Sequence, residues 1–226
     1  IEYILEQISQ KHAKELTESW IKNNPNDILE GYLAFSKFQY HNLDVDLINQ
    51  QIDNITKNIW LEINNQLTSL EKIRIINHII FQIQKYKPIE STPNISKYFY
   101  INQLLETKSY TSSSISLLYL IIAQKLNIPI YGVIFKDILL LCYLDHEPLN
   151  IEDIKETNVL FYIDAFHNGN VIPKNRLFEI GNKISIPANP REYLPQKPIF
   201  LIMYFIKQIS LVEKENNNLK KSEDFM

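Results

Sequence analysis

Apolar positions in the first third of the chain recur with a helical period. Between residues 45 and 65, Ile48, Ile52, Ile55, Ile59 and Ile63 fall every three or four positions, a spacing that puts them on one face of a helix and predicts a single buried stripe. Asp44 stands where an N-cap carboxylate would accept from the first free amides. The following helix has a sharper start. Thr68-Ser69-Leu70-Glu71 has capping-box spacing, with hydroxyl and carboxylate each accepting from the other residue's backbone amide. Ile73, Ile76, Ile80 and Ile83 then line its expected inner face. Residues 4–20 and 28–40 carry weaker helical patterns, separated by Asn23-Asn24-Pro25-Asn26, a turn by composition. These helices share no period or motif and do not read as a repeat array.

Pro88 to Pro93 interrupts the helical run, and residues 95–106 resume it. A hydroxyl-rich turn, Thr111-Ser112-Ser113-Ser114, then opens a central helix whose apolar positions Ile115, Leu118, Ile121, Ile122 and Leu126 keep helical spacing. Asn127 and Pro129 supply the stop. Beyond it the period changes. Residues 131–135, 138–145 and 159–164 are short, aromatic and β-branched, which predicts strands pairing antiparallel behind the helix, with Asp145-His146-Glu147-Pro148 as a turn. Residues 173–180 predict a short helix, 186–198 a proline-punctuated loop, 199–213 a last helix, and 214–226 a polar, frayed tail. The expected class is α+β: a helical region over 1–90, a core over 91–213, and the tail.

Composition narrows the partners. A formal net charge of -3 gives no general attraction to a phosphate backbone or anionic lipid, so nucleic acid is not expected. The most apolar stretches, 115–123 and 198–206, fall short of the roughly 20 residues that span a bilayer, so no membrane association is expected. A single cysteine, Cys142, rules out an intramolecular disulfide and a thiolate cluster, and fits a reducing cytoplasm. In the middle of an apolar strand it reads as a small buried hydrophobe. His12, His41 and His78 lie in the helical region, and no histidine pair has the H-E-x-x-H spacing, so neither metal nor other cofactor is expected.

The run LLETKSYTSSSISLLYLIIAQKLNIPIYGV, followed by LLLCYLD and VLFYIDAFHNGNV, resembles the bacterial SirB-type transglutaminase-like family. The resemblance extends over roughly residues 43–205 and is densest over 104–171. It implies a transglutaminase-like, papain-like core with the central helix packed on a small antiparallel sheet. It also implies a nucleophile at the start of that helix, a histidine on the next strand and an acid on the strand after. Ser114 falls at the nucleophile position, where this subfamily often has serine for cysteine. Ile138 falls where the histidine belongs and Asp164 where the acid belongs. The turn before the nucleophile also departs from the family's Gly-Asn-Pro type, reading Tyr110-Thr111-Ser112.

The chemistry makes these departures matter. A thiol becomes a thiolate beside a helix N-terminus and an imidazolium. A serine hydroxyl needs a general base during attack, and Ile138 offers no proton acceptor. Asp164 could orient an imidazole without replacing one. Capping therefore explains Ser112, Ser113 and Ser114 better than catalysis does. His146 lies eight residues beyond Ile138, roughly 26 Å along an extended strand. His167, three residues after Asp164, belongs to the turn that closes its strand. A tyrosine-rich set, Tyr98, Tyr100, Tyr110 and Tyr119, either borders the cleft or packs the core.

The expected function is that of a noncatalytic family member binding a protein or peptide through a degenerate cleft, with Tyr110, Ser112, Ser113 and His167 as binding residues. One alternative is a serine-dependent amide hydrolase or acyltransferase with His167 recruited as base. Another is a helical protein-interaction module.

Overall fold

A computed structural model describes the backbone of residues 2–89, 95–183 and 190–215, and the side chains of 10–89, 95–181, 183 and 191–215. The expected break at Pro93, part of the loop over 186–198 and most of the polar tail lie outside the described residues. The first two helices, α1 (Glu2–Asn23) and α2 (Ile28–Ser36), fold against each other across the expected turn. Asp27 caps α2 by accepting from the Glu30 amide at 2.8 Å, and the Trp20 indole donates to the Asp27 carbonyl at 2.8 Å. Asp44 likewise caps α3 (Val45–Glu62), accepting from Leu47 at 2.9 Å, and the isoleucine stripe Ile48, Ile52, Ile55 and Ile59 is buried as its spacing predicts.

The Thr68–Glu71 capping box opens α4 (Ser69–Asn77). The chain does not continue as α-helix. Residues His78–Ile83 wind as a wider π-helical segment, which adds a residue to the turn and rotates the stripe out of phase. Ile73, Ile76 and Ile80 are buried, whereas Ile83 is 53% exposed, so the expected inner face ends one position early.

Two two-residue strands that no alternation could mark, β1 (Lys87–Pro88) and β2 (Ser109–Tyr110), pair in parallel. Between them, the single helix expected over 95–106 is two: a 3-10 turn at Ile95–Phe99 and α5 (Ile101–Thr107), separated by Tyr100 in extended conformation.

The central helix α6 (Ser112–Lys125) is buried without interruption from Ser113 to Ala123. It ends in a Schellman motif. Asn127 takes a positive φ of 51°, its amide donates to Gln124 at 3.2 Å, and the Ile128 amide donates to Ala123 at 2.9 Å.

An antiparallel sheet follows in the order β3 (Ile130–Phe135), β4 (Ile138–Leu144), β5 (Val159–Asp164), β6 (Asn170–Pro173). Strand β6 takes in Pro173, the first residue of the segment expected as helix, and α7 (Lys174–Lys183) begins only after it. The β3–β4 hairpin turns through Lys136 and Asp137, both at positive φ (45° and 61°), the pattern of a type I′ connection without glycine.

Strand alternation divides the sheet's side chains between two clusters. Leu139, Leu141, Tyr143, Phe161, Ile163 and Ala165 belong to the cluster containing α6. Val133, Phe135, Leu140, Cys142 and Tyr162 pack the other face with Leu177 of α7 and Tyr193. The last helix, α8 (Pro198–Glu215), closes the first cluster, which runs from Trp20 to Ile209. The helices of residues 1–90 therefore share one core with the central helix.

The turn after β5 is tied to three elements. The Asn77 amide donates to the Gly169 carbonyl at 3.0 Å while its oxygen accepts from the Tyr119 hydroxyl at 3.0 Å, and the Tyr110 hydroxyl donates to the Phe166 carbonyl at 3.2 Å. Gly169 has a φ of +68°, and a Cβ there would overlap the Asn77 side chain. Gly169→Ala is expected to lower stability by about 1–3 kcal/mol in urea unfolding. Combined with Asn77→Ala, it should cost less than the sum of the single changes, because the overlap is gone.

Candidate functional site

The start of α6 is the place to look for a nucleophile, and local hydrogen bonding already occupies it. Thr111 is the N-cap in extended conformation. Its hydroxyl accepts from the Ser114 amide at 3.2 Å, and the Thr111 amide donates to the Ser114 hydroxyl at 3.0 Å. The two hydroxyls lie 3.1 Å apart. Ser114 is therefore the N3 member of a capping box and is 0% exposed. Among the described residues its hydroxyl meets only Thr111, and no histidine stands within hydrogen-bonding distance.

The other expected site residues separate into three places. Ser112 is half-buried, and Ser113, 4% exposed, faces the Tyr204 hydroxyl. That phenol donates to the Asp137 carbonyl at 3.2 Å, and Lys207 pairs with the Asp137 carboxylate at 2.7 Å. The hairpin tip is thereby docked on α8 beside the helix start, which leaves the Ile138 side chain 54% exposed. Tyr110, expected to bind a ligand, is a core residue at 0% exposure. Its ring meets Phe81 and Phe166 edge-on at 6.0 Å each. Burial first, and the Asp164 charge second, push its phenol up to about 12. Tyr100 and Tyr119 are also buried, so these tyrosines line the core and not a cleft.

Asp164 and His167 do come together. The imidazole Nδ1 lies 2.7 Å from Asp164 Oδ2, and the His167 amide donates to Oδ1 at 3.3 Å. The imidazole is 70% exposed. Ser114 is not part of this pair. Alternation along β5 puts Ile163 and Ala165 toward α6 and Tyr162 on the opposite face, while Asp164 ends the strand with its charge acting on the Tyr110 phenol. On β4 the same rule sets Leu139 and Leu141 toward α6, and Ile138 with Leu140 away from it. The residues these two strands contribute to the α6 cluster are Leu139, Leu141, Tyr143, Phe161 and Ile163.

The remaining chemistry-bearing side chains stand apart. Cys142 is buried on the face away from α6, and burial pushes its thiol up, the direction of an unreactive cysteine. His146 pairs with Asp145 at 2.6 Å beyond the far end of β4. Among the described residues no group of three or more His, Cys, Asp or Glu could hold a metal ion, and no helix is long and apolar enough to cross a membrane.

Sequence reasoning did not find the cavity at the other end of α6. Its volume is about 600 Å³, and it lies between the C-terminal half of α6, the β3 edge, the loop at 147–151 and the first turn of α8. One signal for it stands in the sequence: Gly132 sits inside a strand, where glycine marks a close approach of another group. A Cβ at Gly132 would meet the Leu201 side chain at 2.8 Å.

A family model described as transglutaminase-like superfamily matches residues 46–198. No curated protein and no solved structure matches the chain. The match begins within α3, takes in the central helix and the whole four-stranded sheet, and ends at the start of α8. A helix followed by an antiparallel sheet, matched over more than half of its length, places this chain in the transglutaminase-like superfamily.

Proposed function

We propose that this protein is a noncatalytic, SirB-type member of the superfamily that works in a reducing cytoplasm by binding a protein or peptide. The observation that carries the proposal is the state of Ser114: buried, bonded to Thr111, and opposed by apolar strand faces. Acyl transfer by serine needs a base within hydrogen-bond reach of the hydroxyl and a group that orients the base. The orienting pair exists as Asp164 and His167, but among the described residues it makes no hydrogen bond to Ser114, whose hydroxyl meets only Thr111. That pair is what an enzymatic alternative would recruit. To do so, Ser114 would have to leave its capping box and expose the Thr111 amide it now satisfies.

Two experiments bear on this reading. Ser114→Ala is expected to leave any background hydrolysis of amide or ester substrates unchanged while lowering stability by about 1–3 kcal/mol, the cost of leaving the buried Thr111 amide without its acceptor, as read from urea unfolding. A wild-type acyl transfer or hydrolysis that Ser114→Ala abolished would sink the proposal. A graft tests the strand faces directly. In a Ser114→Cys/Ile138→His double variant, iodoacetamide alkylation against pH should have its midpoint at or above about 8.5, the value of an unassisted thiol. A midpoint one unit or more below that of Ser114→Cys alone would mean that position 138 reaches the helix start after all.

A further inference from the structure

The cavity of about 600 Å³ lies toward the opposite end of α6 from Ser114, roughly 9–15 Å along the helix at the rise of an α-helix. Its size is that of small-ligand sites. Leu120, Ala123, Ile128, Ile199 and Leu201 supply apolar wall, and Leu149, fully exposed, stands at its mouth. One wall is backbone. The Leu144 amide donates to the Pro129 carbonyl at 2.8 Å, which fixes the alternation of the β3–β4 ladder. Tyr131, Val133 and Phe135 turn their main-chain groups to β4, while Ile130, Gly132 and Ile134 turn theirs outward.

Two of these outward groups are satisfied: the Gly132 carbonyl accepts from the Gln196 amide at 2.8 Å, and the Ile130 amide donates to Ile128 at 2.7 Å. The Gly132 N–H and the Ile130 carbonyl have no partner among the described residues, although Gly132 is buried. Buried amides are rarely left unpaired, because an unmade hydrogen bond there is costly. Both groups belong to residues that line the cavity.

We propose that the cavity takes an extended, uncharged peptide segment, which pairs its main chain with the Gly132 N–H and the Ile130 carbonyl and seats an apolar side chain among Leu120, Ala123, Ile128 and Leu201. A donor and an acceptor two residues apart on one strand edge are the complement of another strand's main chain, the basis of recognition by strand addition. The edge already receives one such contact, from Gln196. At the rim, Lys197 is engaged by Glu152 at 2.5 Å, so this cation is not free to select an acidic ligand. The proposal deepens the binding reading given above and relocates its site from the helix start to the helix end.

The test is a two-dimensional amide NMR titration of the whole chain with the blocked tripeptide acetyl-Val-Ile-Val-amide. The expected result is a saturable shift of the Gly132 amide resonance, with affinity reduced about tenfold when the peptide's amides are N-methylated, since that removes the donor to Ile130. Leu149→Ala, at a fully exposed position that cannot unfold the core, should weaken binding severalfold. Equal binding of the methylated and unmethylated peptides would overturn strand pairing in favour of a small apolar ligand. No shift at millimolar peptide would overturn the site. The two proposals fail separately: a peptide that binds and is cleaved refutes the noncatalytic reading alone, and one that stays intact and unbound refutes this site alone.

Discussion

The structure depends on the burial of α6. From Ser113 to Ala123 no residue of that helix faces water, so its amides and carbonyls at both ends must be satisfied by the protein itself. The Thr111–Ser114 box does this at the start, and the Schellman turn at Asn127 does it at the end. The hydroxyl run that draws attention as a nucleophile site is thus the means by which a fully buried helix can begin. Chemistry and capping compete for the same oxygen, and in the observed geometry capping holds it.

The sheet adds a second constraint. Its two faces pack two separate clusters, so every strand residue is committed to one side. Asp164 and His167 form a close pair that would serve an active site well if it met the Ser114 hydroxyl, but that hydroxyl bonds only to Thr111 among the described residues. The α6-facing positions Leu139, Leu141, Ile163 and Ala165 bury apolar surface, each large side chain contributing on the order of 1.5–3 kcal/mol. A buried acid or imidazole among them would need a partner that none of these neighbours offers. The stability of the core and the absence of a base near Ser114 have the same cause.

What could be read from the sequence was what local spacing determines. Caps at Asp44 and Thr68, the stripe from Ile48 to Ile59 and the stop at Asn127 each involve residues within a few positions of one another. Strands β1, β2 and β6 escaped because two to four residues carry no periodic signal, and their pairing is decided by partners elsewhere in the chain. The π segment at His78 escaped because its isoleucines fit an α-helical count equally well. For the site, type and order along the chain were legible, but face was not. Alternation has a period of two, so a shift of one residue transfers a side chain from one side of a sheet to the other. Family resemblance locates a strand more securely than it locates a face.

The two ends of α6 differ for a reason that follows from their neighbours. At the start, Tyr204, Asp137 and Lys207 draw the hairpin tip onto α8 and close the surface over Ser113. At the other end, the Gln124 side chain accepts from the Ile28 amide at 3.1 Å and donates to the Asn26 carbonyl at 2.6 Å, fixing the start of α2 against α6. Helix α8 meets the same region only through its first turn and the Gln196 contact to Gly132. The walls are held by these hydrogen bonds and by the Lys197–Glu152 ion pair, which ties the loop after β4 to the start of α8. A hydrogen-bonded rim with main-chain groups that have no partner among the described residues is a preorganised arrangement, in which little ordering is left for a ligand to impose. If the scaffold has kept a binding role without its chemistry, this end of the helix retains the means for it.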